Sequence, residues 1–265
     1  MSDGMEIATA TRPQVRIEGA VKSFSGRVVV DVDQLLLGDR PIEGLIGPNG
    51  AGKTTLMRMI MHSTKLDRGK VTLRQDLDED GEVVLSDLPT HRMAGFGVVK
   101  SNQVIMDFEK LTIWDSLLLA VAAAKYEQPH RIFSEGPVFE DHGDEAREYL
   151  EFFSFDDPTG FAQSAGEKKL LDIIRCLLLK PRFLLLDEPT AGLPDKLTEK
   201  VIHVIRRLAA EGTAVVIVEH DLHVIWNLCD QVHFMAEGEV ILRGDPPTIR
   251  EHKTVIEKYL GEGHV

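Results

Sequence analysis

Hydrophobic positions along this chain fall mostly into short unbroken runs separated by longer stretches of helical composition. Val15–Ile17 and Val28–Val30 read as short strands on either side of the turn-prone pair Ser25-Gly26. Gly44-Leu45-Ile46 is a third apolar run. It leads into a glycine-rich segment and then into Lys53–Ser63, where Leu56, Met57, Met59, Ile60 and Met61 predict a helix. Val71–Leu73 and Val83–Leu85 flank the acidic run Asp76–Gly81, which predicts a hairpin with a solvated turn. Thr112–Lys125 and Asp144–Phe153 have helical composition, in a middle region with little strand signal. Glu167–Leu179 is a helix that Lys180-Pro181 stops, because the residue before proline is pushed out of the helical region.

Phe183–Leu186 is continuously apolar, the mark of a strand covered on both faces of a parallel sheet. Lys196–Ala210 predicts a helix closing at Gly212, Ala214–Val218 a second covered strand, and Leu222–Cys229 another helix. Buried strands alternating with helices at both ends of the chain imply an α/β core, with the largely helical stretch at about 105–175 inserted into it.

At 265 residues the chain has ample length for a core of its own. Its 43% hydrophobic and 28% charged residues are ordinary for a globular protein. A net charge of −13 argues against general affinity for nucleic acid or an anionic membrane surface, both of which attract positive proteins. The longest apolar run, Leu117–Ala124, is far short of the roughly 18 residues that cross a bilayer. Any membrane role is therefore expected to come through a partner. Cys176 and Cys229 sit in apolar surroundings without metal-ligand spacing, and read as buried small hydrophobes in a reducing compartment. Met1–Pro13 lacks the apolar centre of a signal peptide and is expected to be a mobile tail.

Three motifs bring chemistry to strand ends. Gly47-Pro48-Asn49-Gly50-Ala51-Gly52-Lys53-Thr54 fits the phosphate-loop pattern G-x-x-x-x-G-K-[ST]. Its glycines let backbone amides turn onto phosphates, and the following helix adds its dipole. Lys53 is expected to neutralise phosphate charge and Thr54 to offer its hydroxyl to Mg²⁺; Asn49, Gly50, Ala51, Gly52 and Thr55 complete the expected nucleotide contacts. The second strand ends in Asp187-Glu188-Pro189. In a parallel sheet, ligands sit beyond the carboxyl ends of the strands, so both carboxylates should emerge beside the loop. Asp187 is then a candidate for holding Mg²⁺ and Glu188 a candidate general base; the alternative is an acidic N-cap for the next helix. The third strand ends in Glu219-His220-Asp221, which brings His220 to the γ-phosphate edge.

These elements, in this order and spacing, resemble the ATP-binding cassette (ABC) ATPases from about Val15 to Gly261. The resemblance implies a phosphate-loop core with a mostly parallel sheet, an N-terminal antiparallel β subdomain and an inserted helical subdomain, all within a single domain at 14–265. It implies that Phe24 stacks on adenine. It also implies that Gln103, in Lys100-Ser101-Asn102-Gln103, contacts Mg²⁺ and moves when ATP binds. The family signature, ordinarily Leu-Ser-Gly-Gly-Gln, stands here as Gln163-Ser164-Ala165-Gly166-Glu167. Ser164, Ala165, Gly166 and Glu167 are then the contacts to a nucleotide held by a second copy. Gln163 and Ala165 depart from the pattern but leave the hydroxyl and the helix start in place. In Ala191-Gly192-Leu193-Pro194-Asp195, proline takes a slot that is usually acidic or amide. The segment Phe153–Ala162 is shorter than the family pattern.

Asp187–Leu193, Val218–Leu222 and the ending Val255–Gly261 resemble the branched-chain amino-acid importer ATPases, a group that also includes urea and amide importers. The resemblance implies a cytoplasmic subunit peripheral to the cell membrane, paired with another cassette and docked on transmembrane permease subunits through a groove lined by Val104–Phe108. It implies no direct contact with the solute. Lipopolysaccharide-export ATPases share the Tyr-Leu-Gly ending and are the alternative. Soluble cassettes acting on ribosomes or DNA fit less well, because this chain has one cassette, no sustained heptads and a strongly acidic balance.

Overall fold

The structure is a computed structural model, described here for residues 12–75, 81–101, 111–125, 135–162 and 164–260. Two sheets form its frame. The first is antiparallel, with strand order β2-β1-β4-β5: β1 is Gln14–Phe24, β2 Arg27–Leu37, β4 Arg68–Arg74 and β5 Glu82–Val84. Strands β1 and β2 run much longer than the apolar cores that announced them, because their outer faces are polar. The turn between them uses Ser25 and Gly26, both with positive φ (50° and 81°), the pairing that suits the twist of a two-residue hairpin.

The second sheet has the order β10-β9-β3-β8-β7-β6, with β3 at Ile42–Ile46, β6 at Val98–Lys100, β7 at Phe183–Asp187 and β8 at Ala214–Val218. Strands β9 (Gln231–Ala236) and β3 pair in parallel, as do β3–β8, β8–β7 and β7–β6; only β10 (Glu239–Gly244) is antiparallel. All of β3, β7 and β8 is buried; the apolar runs Phe183–Leu186 and Ala214–Val218 predict this, whereas β3 also buries Glu43, whose carboxylate meets His233 Nε2 at 2.9 Å. Their side chains alternate between two cores. Leu184, Leu186, Val215 and Ile217 point to one cluster, and Phe183, Leu185, Val216 and Val218 to the other. Each such side chain contributes about 1.5–3 kcal/mol on burial.

The second of these clusters lies between the two sheets and takes in helix α1 (Lys53–Ile60). The first takes in helices α2 (Ile113–Lys125), α3 (Glu135–Phe152), α4 (Ala165–Leu178), α5 (Asp195–Ala210) and α6 (Leu222–Leu228), with α2, α3 and α4 packed on one another. Helices α7 (Pro246–Glu251) and α8 (Lys253–Leu260) close the described chain. Cys176 and Cys229 are free and buried. The expected tail Met1–Pro13 lies almost wholly outside the described residues. Of its last two residues, Arg12 donates to Ala209 O at 3.2 Å.

Candidate functional site

Register brings three strand ends level. Leu45 pairs with Val218, and Val218 with Asp187, so the loops after β3, β7 and β8 leave one edge of the sheet together. The loop after β3 requires glycine for steric reasons. Gly47 has φ +154°, and a Cβ there would lie 1.9 Å from Met235 O; Gly52, with φ +104°, would meet Val29 O at 2.6 Å. The chain then enters α1 with Gly52 as its N-cap and no side-chain cap, leaving the first-turn amides directed to the front of the loop. Asn49, Gly50, Ala51, Gly52, Lys53, Thr54 and Thr55 line one pocket together with Val29, Glu188, Val218 and His220. The expected nucleotide contacts of the loop, Asn49–Thr55, therefore share a pocket with the predicted base and the predicted histidine.

Lys53 Nζ donates to Gly47 O at 2.6 Å and Pro48 O at 3.0 Å, folding the ammonium back onto its own loop. Burial lowers its pKa from the ordinary lysine value, against the opposing pull of Asp187 and Glu188. Asp187 is buried, only 3% exposed, and is not among the residues that line this pocket. Its backbone N–H donates to Ser101 Oγ at 2.9 Å, and Lys100 Nζ stands 3.5 Å from Oδ2. Burial pushes its pKa up, partly offset by Lys100, and neither carboxylate oxygen has a hydrogen-bond partner. A buried carboxylate with unmet acceptors suits a hard cation that keeps waters and phosphate oxygens as its other ligands. Consistent with so sparse a donor set, no group of three or more His, Cys, Asp or Glu able to hold a metal occurs among the described residues.

Glu188 has φ +52°, an uncommon conformation for a residue other than glycine. The strain is held by three contacts. Its N–H donates to Val218 O at 2.7 Å, its carbonyl accepts from Lys169 Nζ of α4 at 2.7 Å, and Oε1 lies 3.0 Å from His220 Nε2. Such a carboxylate, with an imidazole nitrogen within hydrogen-bond distance, can take a proton from water. Glu219, 1% exposed and one residue before His220, joins the two loops. Its Oε1 accepts from Thr190 N–H (2.7 Å) and Thr190 Oγ1 (2.6 Å), and its Oε2 accepts from His220 N–H (3.2 Å).

The remaining predicted residues are placed elsewhere. Phe24 is 49% exposed at the end of β1, with Lys22 Nζ 5.4 Å from its ring, and does not line the pocket; Val29 does. Ser164, Gly166 and Glu167 line a separate pocket with Phe153, Phe155, Gly192, Pro194 and Leu197. There Ser164 is the N-cap of α4 in a full capping box: its Oγ accepts from Glu167 N–H (3.1 Å), and its N–H donates to Glu167 Oε2 (2.9 Å). Ala165 opens the same helix. Gln103, Gln163 and the groove expected at Val104–Phe108 lie outside the described residues.

Among the described residues, no helix is long and apolar enough to cross a membrane. Residues 34–191 match the family model described as "ABC transporter". The chain is 30% identical over 264 residues to the high-affinity branched-chain amino acid transport ATP-binding protein BraF of Pseudomonas aeruginosa, covering 95% of this chain and 99% of that one. It is 31% identical over 248 residues to the lipopolysaccharide export system ATP-binding protein LptB of Haemophilus influenzae, covering 92% and 96%. Among solved structures, it superposes on an ATP-binding cassette of an ABC transporter in its ADP conformation with a TM-score of 0.76, at 25% identity over 95% of this chain and 100% of that one. A nucleotide-free cassette from an ABC transporter superposes with a TM-score of 0.75, at 26% identity over 93% and 98%.

Proposed function

The chain belongs to the ABC transporter family of ATP-hydrolysing cassettes, and from that premise we propose that it powers membrane uptake of a small polar solute. The solute class is a branched-chain amino acid or a related amide or urea. The observation that carries this reading is similarity to BraF over 95% of this chain and 99% of that one. The similarity to LptB supports a second reading, export of a glycolipid, at nearly equal identity.

In the proposed cycle, Asn49–Thr55 wrap the phosphates through backbone amides, and Lys53 leaves Gly47 O and Pro48 O to neutralise them. Phe24 stacks on adenine from the hairpin end. Thr54 and Asp187 would hold Mg²⁺, with Gln103 added to the set; the unmet oxygens of Asp187 support that assignment. The ion would neutralise charge on the phosphates. Glu188 takes the proton of the attacking water, and His220 donates a hydrogen bond at the γ-phosphate edge.

The phosphate loop lines one pocket, and Ser164, Gly166 and Glu167 at the α4 N-terminus line a different pocket of the same chain. A second copy placed head to tail would bring that helix end to the nucleotide, so that ATP bridges two chains and hydrolysis parts them. Because Lys169 of α4 donates to the Glu188 carbonyl, the signature helix and the base-bearing loop of one chain would move together. The cassette pair would sit on the cytoplasmic face of permease subunits and never touch the solute.

The test is purification of the intact membrane complex and measurement of its ATPase activity with added solutes. Stimulation by leucine, isoleucine, valine or urea supports uptake of that class. Stimulation by lipopolysaccharide and none of these supports the export reading.

A further inference from the structure

The first peptide of the phosphate loop is held from the far end of the chain. Tyr259 of α8 stands 212 residues from Gly47 in sequence, yet its Oη accepts from Gly47 N–H at 2.8 Å and donates to Gly47 O at 3.1 Å. One hydroxyl thus satisfies both polar groups of a residue that can carry no side chain of its own, since a Cβ on Gly47 would strike Met235 O. The phenol is fixed from two sides. Its ring lies 5.9 Å from that of Phe234, a fully buried β9 residue whose register partner on β3 is Ile46, the residue just before the loop. One residue earlier in α8, Lys258 pairs with Glu237 in the β9–β10 turn. Burial also raises the pKa of the phenol above the ordinary tyrosine value, with the Gly47 bond opposing, so the hydroxyl keeps the proton it donates.

Gly47 O accepts from two donors at once, Tyr259 Oη and Lys53 Nζ. A carbonyl oxygen has two lone pairs and can accommodate both. Nucleotide changes this balance, because the Lys53 ammonium is the group that must swing to the phosphates. Resting on the proposal that this loop binds ATP, we infer that Tyr259 is a positioning residue: its hydroxyl holds Gly47 in place and keeps its carbonyl donated when Lys53 departs. Without the hydroxyl, Lys53 is the remaining donor to that oxygen, and phosphate must compete with the carbonyl for it. Helix α8 is then part of the nucleotide site, though it contributes no atom to the phosphate pocket.

The experiment titrates ATP and ADP calorimetrically into the full-length chain and into Tyr259→Phe, alongside steady-state ATPase and thermal unfolding without nucleotide. Tyr259→Phe keeps the ring against Phe234 and deletes only the hydroxyl. The expected result is an ATP Kd and KM raised about three- to tenfold, the worth of one to two net hydrogen bonds, with kcat at saturating ATP within about twofold. In a Lys53→Ala background, the same change should move the ATP Kd by less than about twofold, because no ammonium is left for Gly47 O to retain. Unchanged Kd and KM in Tyr259→Phe, despite any loss of thermal stability, would overturn the inference, as would an undiminished effect in the Lys53→Ala background. Failure of the unmodified chain to bind ATP would instead remove the phosphate-loop reading itself.

Discussion

Substituting Glu219 with glutamine probes the joint between the two loops that bear Glu188 and His220. The carboxylate is fully enclosed and accepts from Thr190 N–H at 2.7 Å, Thr190 Oγ1 at 2.6 Å and His220 N–H at 3.2 Å. Glutamine fills the same volume but offers one oxygen and one NH2 group. Whichever way the amide turns, an NH2 faces either the Thr190 or the His220 backbone N–H, donor against donor. Bonds that reach a carboxylate are each worth about 1 kcal/mol more than neutral ones. Weakening two of them and setting one donor against another, less the easier burial of a neutral amide, costs about 2–3 kcal/mol. For a chain of this size that lowers Tm by about 4–10 °C. Because the displaced atoms carry the imidazole and frame the base, kcat should fall about 10- to 100-fold, the scale of a 1 Å misplacement. Calorimetric unfolding without nucleotide and ATPase at saturating ATP read the two effects. A Tm within 1 °C of the parent together with kcat within twofold would refute the reasoning.

Lys53→Ala removes the charge that the loop holds in reserve, and ATP affinity should fall about 10- to 150-fold, read by the same titration; undiminished ATP binding would sink the assignment of the loop. Asp187→Asn should raise the Tm of the nucleotide- and Mg²⁺-free chain at pH 7, because burial holds the parent carboxyl above its ordinary pKa and the charged form costs stability. A carboxyl raised in the folded state contributes stability at low pH that is lost as pH rises through its folded value. The gain should therefore shrink toward acid pH, and a gain that grows there would contradict this sign.

Much of this architecture was legible because buried parallel strands have an unmistakable pattern. Phe183–Leu186 and Ala214–Val218 are apolar on both faces, so the sequence alone assigns their ends, and with them Asp187, Glu188 and His220, to one edge of the sheet. Strand β6 has only three residues, too short to stand out as a strand even though Gly97, with φ +73°, marks the turn before it. The β9–β10 hairpin turns at Glu237-Gly238, with φ of 54° and 92°, between strands whose apolar pattern alone does not announce them. Pair contacts across long sequence separations were beyond reach. Nothing in Val218-Glu219-His220 announces that Glu219 would face Thr190, or in the Tyr-Leu-Gly ending that Tyr259 would meet Gly47. Ser164 was assigned a ligand role, and its capping box with Glu167 could also have been read from the Ser-x-x-Glu spacing.

The central claim is that Glu188 draws the proton from the water that cleaves ATP between two chains. Its direct test is Glu188→Gln, measured for ATP binding, ATP turnover and ATP-dependent association on a sizing column. Binding should persist, turnover should fall about 10²- to 10⁴-fold as expected for loss of a general base, and ATP should hold the variant as a dimer. Turnover at the parent rate would contradict the account.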